Sequence, residues 1–227
     1  IFFQRTSLQF SYHIYYYDKY IYIHTLYIYM KQNLLFYIFI SLLLFVCLRI
    51  YYESDAFQLK CVIATKDGNR YCVRDRNKLE LAAELLATVA EKSTTLIAHL
   101  ENKYPKDERV KRLVQNFNAT RISETLPTSE LTAYSENKGE KLAFCLNSEK
   151  NNDNNLIDIN TLFFVCLHEL SHIMTLSQGH KQEFWINFKF LIENAKEIGS
   201  YEVIDYKKTP VEYCGMTIHD SPYFDLV

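Results

Sequence analysis

Hydrophobic and polar positions alternate in different ways along the chain, and each change of pattern marks a predicted element. Leu34 to Leu48 is an apolar run carrying no charge, and it extends to Tyr52 if Arg49 turns its guanidinium towards an interface. A helix of about 17–20 such residues crosses a bilayer, so residues 30–52 predict a transmembrane signal anchor that meets the membrane through residues 34–52. The sequence VCLRIYYESDAF contains no A-x-A pattern of small residues, which disfavours a cleaved signal peptide. The run also shows no polar face, which disfavours a buried core helix.

Past Glu53 the pattern shortens. LKCVIATKDGNRYCVR predicts two strands around the Asp67-Gly68 turn, and a two-residue turn there sets Cys61 opposite Arg74 rather than Cys72. Asn77 is then a helix cap, followed by Leu79, Ala82, Ala83, Leu86, Val89, Ala90, Leu96, Ile97 and Leu100 at helical spacing to about Lys103. Pro105 and Asp107 open a shorter helix through Val110, Leu113, Val114 and Phe117. Ile122 to Leu146 reads as two or three strands, and the polar segment KNNDNNLIDIN as a loop. Asn160 is the expected cap, with Ile159 as staple, of a helix that buries Leu162, Phe163, Cys166, Leu170, Ile173 and Met174 and stops at Ser177-Gln178-Gly179. A last helix runs from about Lys181 to Ile198 and closes at Gly199, before a tail of short strand-like pieces.

Composition changes this picture at two places. Of the 18 tyrosines, eight precede Met30, so residues 1–29 are biased rather than domain-like. They are read either as untranslated A/T-rich sequence upstream of a start at Met30 or as a terminal extension, and in both cases lie apart from the fold. Residues 53–227 form the predicted domain, with 21 Lys and Arg against 26 Asp and Glu, a formal charge of −5. No basic stripe is present, which disfavours nucleic acid as a partner. The six cysteines include no CxxC pair, which argues against a cysteine-based zinc ribbon. Cys47 and Cys166 read as small buried residues, while the disulfide state of Cys61, Cys72, Cys145 and Cys214 stays open.

The chemistry is concentrated in LHELSHIMTLSQGHKQEFW, residues 167–185. His168 and His172, four apart on one helix face, can direct two imidazoles at one ion. Glu169 lies on the adjoining face, where a general base reaches water rather than the metal. A third ligand must come from elsewhere, and His180 behind the Gly179 reversal is the candidate. Gln178 stands where a metzincin has its third histidine, so that arrangement is disfavoured. The competing readings are satisfied core histidines and a zinc site without catalysis. His99 reads as a surface or core histidine. Tyr213, Tyr206 and His219 are candidates for steadying an oxyanion, with packing the favoured role for the tyrosines.

HELSH followed by GHKQEFW resembles the zincin metallopeptidases of the SprT-like and WLM families, in which HExxH precedes a third histidine in a GHxxxF setting. The resemblance covers about Asn160 to Gly199. It implies His168, His172 and His180 as zinc ligands, Glu169 as the catalytic glutamate, and Phe184 and Trp185 as the aromatic packing behind the third ligand. The spacing to the third histidine departs from the shortest WLM spacing, and neither the zinc-ribbon cysteines nor the basic segments of DNA-repair members are present. The expectation is therefore a single-pass, membrane-anchored α+β zincin, with a small β-sheet packed on the HExxH helix and an extracytoplasmic domain. It would hydrolyse peptide or protein substrates with Zn²⁺, bound along an edge strand at Lys141–Leu146 or Leu131–Ser135. The alternatives are a protease of DNA-bound proteins and a catalytically inactive zinc module.

Overall fold

The computed structural model describes residues 2–149 and 155–225. Part of the expected polar loop, residues 150–154, lies outside the described residues. The chain separates into two units, Ile1–Tyr52 and Glu53–Val227.

The first unit is one helix, α1 (Phe2–Glu53). Its segment Ile21–Glu53 contains an 18-residue stretch with a mean hydropathy of 2.4, none of it buried within the chain. At 1.5 Å per residue those 33 residues reach about 50 Å, more than the roughly 30 Å of a hydrocarbon core. The helix is thus long and apolar enough to cross a membrane. Cys47 lies on its exposed surface, not in a packed interior.

The second unit is α+β. After a short helix α2 (Asp55–Gln58), strands β1 (Leu59–Ile63) and β2 (Arg70–Arg74) form a hairpin whose register sets Cys61 opposite Cys72. The two cysteines form a disulfide. This corrects the expected Cys61–Arg74 pairing: Ala64 N–H donates to Asn69 O, so the loop holds four residues, not two, and the register moves by two. Gly68 supplies the left-handed residue at φ +72°, while Asp67 accepts from Asn69 N–H and from the Tyr71 hydroxyl.

Helix α3 (Leu79–Lys103) buries the apolar stripe read from the sequence, but it starts at Lys78 without a side-chain cap, so Asn77 does not serve. Helix α4 (Glu108–Asn116) does begin at the expected Asp107, whose carboxylate accepts from Arg109 N–H. Strands β3 (Ile122–Glu124), β4 (Ala133–Glu136) and β5 (Lys141–Phe144) form one sheet in the order β3-β5-β4, with β3 parallel and β4 antiparallel to β5. β5 is therefore interior, which removes Lys141–Leu146 as the edge; the free edge on that side is β4. Helix α5 (Ile159–Met174) packs on α3, α4 and this sheet, and pairs with α6 (Gln182–Glu197). A second hairpin, β6 (Val211–Tyr213) and β7 (Met216–Ile218), is tied to the segment after β5 by the Cys145–Cys214 disulfide and by Cys214 N–H to Asn147 O.

Two boundaries of α5 differ from the sequence reading. Asp158 caps it, accepting from Thr161 N–H, while Asn160 turns outward to bond the Glu202 backbone. The helix ends at Met174, with Thr175 as cap, and Gly179 at φ +75° belongs to the loop that follows. One buried ionic group braces the strands: Glu124 contacts Arg74 and Arg76, and Arg76 also reaches Asn147 Oδ1 at 2.6 Å. Burial raises the Glu124 carboxyl while both guanidiniums pull it down.

Candidate metal centre

Helix α5 brings His168 and His172 into line, and the loop to α6 returns His180 over them. The ring centroids lie 5.0 Å apart for His168 and His172, 4.8 Å for His168 and His180, and 4.9 Å for His172 and His180. One nitrogen from each ring falls within 4.8 Å of the others, and His168 Nε2 is 3.0 Å from His180 Nε2. Tetrahedral zinc holds nitrogen ligands at about 2.0–2.1 Å, which separates them by roughly 3.3 Å. The observed separations, from 3.0 Å to at most 4.8 Å, bracket that spacing. Fully buried Phe184 packs against all three rings, at 4.8, 4.4 and 4.6 Å, and forms a common apolar base.

Electrostatics favour neutral imidazoles. Burial, then His172 and His180, lowers His168 to about 3. Burial, then His180 and Lys138, lowers His172 to about 4. Neutral imidazole is the form that binds a metal ion. The donor set of three nitrogens, without thiolate, suits a borderline ion such as zinc and leaves a fourth position open.

Glu169 is 5 % exposed and lines the cleft with His168 and His180. Burial raises its carboxyl to about 7, against the Ser135 N–H of β4, which donates to it. That hydrogen bond ties the carboxyl to the edge strand.

The helix end that carries His172 is held by contacts the sequence did not disclose. The Lys138 ammonium bonds the carbonyls of His172, Thr175 and Ser177, and the Arg112 guanidinium bonds Met174 O at 3.0 and 2.8 Å. Two cations thus satisfy the open carbonyls at the negative end of α5. Lys138 is placed by a β4–β5 turn in which Asn137, Lys138 and Gly139 all have positive φ. Gly139 is obligatory there, since a Cβ would meet Asn116 O at 2.6 Å. The loop bearing His180 hangs from α6: Glu183 accepts from Leu176 and Ser177 N–H, and Trp185 Nε1 donates to His180 O at 3.1 Å. Asn187 donates to Thr175 Oγ1 at 2.8 Å and accepts from Arg109 at 3.1 Å.

The other sequence candidates separate clearly. Tyr206 is buried against Phe164 and Tyr201, outside the cleft lining. Tyr213 borders the cleft, but it is buried and its hydroxyl donates to Thr132 O. His219 is exposed on the cleft rim, with Nδ1 3.1 Å from Thr217 O. His99 stands apart on α3, 4.0 Å from Glu197. Cys166 is buried beside Ser93, its thiol pushed up to about 12 by burial.

No protein-family model matches the chain. It is 30% identical over 173 residues to uncharacterized protein R325 of Acanthamoeba polyphaga mimivirus, covering 74% of this chain and 85% of that protein. It is 35% identical over 75 residues to uncharacterized protein 136R of Invertebrate iridescent virus 6, covering 33% of this chain and 41% of that one. Among solved structures, Wss1 of Saccharomyces cerevisiae aligns at a TM-score of 0.43 and 20% identity, over 56% of this chain and 87% of that chain. A Wss1 mutant aligns at 0.43 and 19%, over 56% and 88%.

Proposed function

The chain belongs to the family of protein R325 of Acanthamoeba polyphaga mimivirus, and we propose that it is a zinc-dependent metallopeptidase of zincin type. The observation that carries this is the convergence of three imidazoles on one point beside a buried carboxyl, at the edge of an open cleft. A core role for the histidines does not account for it, since His180 is exposed and its ring still turns onto His168.

His168, His172 and His180 would hold the ion. Bound zinc supplies Lewis acidity towards a water and towards the scissile carbonyl. Glu169 takes the proton of the attacking water and delivers it to the leaving amine, the general base then acting as general acid. The Ser135 N–H orients that carboxyl and couples it to β4, whose free edge receives an extended peptide by strand addition.

The apolar segment Ile21–Glu53 supports membrane anchoring, and three features support an extracytoplasmic domain. The disulfides Cys61–Cys72 and Cys145–Cys214 suit an oxidising compartment. Asn118 of the Asn118-Ala119-Thr120 sequon is exposed. Lys31 precedes the apolar run.

Elemental analysis of the full-length chain in detergent micelles tests the centre. About one zinc per chain is expected, together with cleavage of an unfolded protein that a chelator suppresses. A chain that folds and takes up no zinc sinks the reading. A second reading, a protease of DNA-bound proteins, comes with the SprT-like and WLM resemblance of the same motif. The charge of −5 over residues 53–227 weighs against it, and salt-sensitive DNA binding by the full-length chain would restore it.

A further inference from the structure

His172 sits where a helix is least able to hold a ligand. Helix α5 ends at Met174, two residues later, and the carbonyls of a last turn have no partner within their own helix. The N–H of Leu176, which would continue the ladder to His172 O, goes to Glu183 instead, as does that of Ser177. From there the chain runs on to His180. The placing of two of the three imidazoles therefore depends on how this helix end and the first residues of the loop are held.

One half-buried side chain holds both. Lys138 Nζ donates to His172 O at 3.2 Å, to Thr175 O at 2.5 Å and to Ser177 O at 3.3 Å, so the three protons of an ammonium meet three carbonyls. The first carbonyl belongs to a histidine of the centre, and the other two to the segment leading to His180. Arg112 braces the helix side through Met174 O, and Glu183 the loop side through two N–H groups, whereas Lys138 spans the two.

The turn itself does not require a lysine. Lys138 has φ +59°, between Asn137 at +45° and Gly139 at +115°. This left-handed region admits glycine freely and asparagine readily, but disfavours a long side chain. As backbone alone, position 138 would be better served by glycine. A residue kept in a disfavoured conformation by its surroundings marks a side chain retained for its contacts. The same hairpin end carries Ser135, whose N–H bonds Glu169, so it touches the base as well as the helix end.

We propose that Lys138 is a positioning residue of the metal centre: its ammonium ties the His172 turn of α5 to the loop that returns His180, and so holds both imidazoles beside that of His168. It acts through the backbone and does not ligate the ion. The proposal rests on the zinc reading, and its test separates the two.

The full-length chain in micelles is compared with Lys138→Gly and Lys138→Met for zinc affinity, by chelator competition, and for thermal unfolding of the metal-free form. Glycine relieves the turn, so a lysine serving the turn alone predicts unchanged affinity and no loss of thermal stability in Lys138→Gly. Methionine keeps an apolar stem without the ammonium, which separates the charge from the packing of the chain beneath it. The positioning role predicts an affinity lower by about 10-fold or more in both variants, with the far-ultraviolet circular dichroism unchanged. Butylammonium added to Lys138→Gly should restore most of that affinity while leaving the parent's unaltered. An affinity within about twofold of the parent in either variant, or a loss that butylammonium does not restore, overturns the role of Lys138 and leaves the zinc centre standing. A folded parent that binds no zinc overturns both.

Discussion

At the scale of single residues, the centre divides into groups that would take an ion and groups that hold those in place. His180 is the exposed member, fixed only through its loop. His180→Ala should weaken zinc binding by about 100-fold or more, read by competition with a chromogenic chelator. Glu183 touches no histidine ring but fastens the loop through Leu176 and Ser177 N–H. Glu183→Ala is therefore expected to cost about 10-fold in zinc affinity, with the far-ultraviolet circular dichroism unchanged. An unchanged affinity would remove the positioning role. The clustering of His168, His172 and His180 beside Glu169 was readable in the sequence because i and i+4 on a helix fix their own geometry, and because a glycine marks the return of His180. Lys138, Arg112 and Asn187 were not readable. Their partners on α5 and its cap are remote in sequence, and a lysine in an ENKG turn looks the same whether or not a helix end lies beneath it.

At the scale of elements, the buried faces were legible and the ends were not. Periodicity located α3, α4, α5 and α6, since 3.6-residue repeats persist over several turns. Caps are decided by single hydrogen bonds, and a neighbouring residue can win: Asp158 caps α5 because Asn160 is engaged by Glu202. Asp158→Ala should lower stability by about 1 kcal/mol in denaturant titration, and Asn160→Ala should not act through capping. Asp107 carries a pH signature as well. Its carboxyl is lowered by the Arg109 side-chain hydrogen bond, so the native state favours the ionised form. The stability it adds is present above the unfolded value near 3.8 and is lost as pH falls through the lower folded value. The deficit of Asp107→Ala, about 1 kcal/mol at neutral pH, should shrink in strong acid. The β1–β2 register escaped prediction for a comparable reason: Asp67-Gly68 identified the turn, but only the Ala64–Asn69 hydrogen bond sets its length.

Across the whole molecule, what the sequence withheld is non-local. The parallel pairing of β3 with β5 and the 69-residue reach from Cys145 to Cys214 leave no local pattern. Together they leave β4 at an edge of its sheet and fasten the β6–β7 hairpin to the segment after β5. Cys145→Ser with Cys214→Ser should cost about 2–4 kcal/mol of stability by denaturant unfolding. The apolar stretch Ile21–Glu53, by contrast, needs no partner to be recognised. The claim that joins these scales is hydrolysis by Glu169 beside a three-histidine ion. It is tested most directly by comparing cleavage of an unfolded, carboxymethylated protein by the full-length chain and by Glu169→Gln at equal zinc content. The expected result is fragments from the parent and a rate at least about 100-fold lower for the variant. Equal cleavage by the two would contradict the claim.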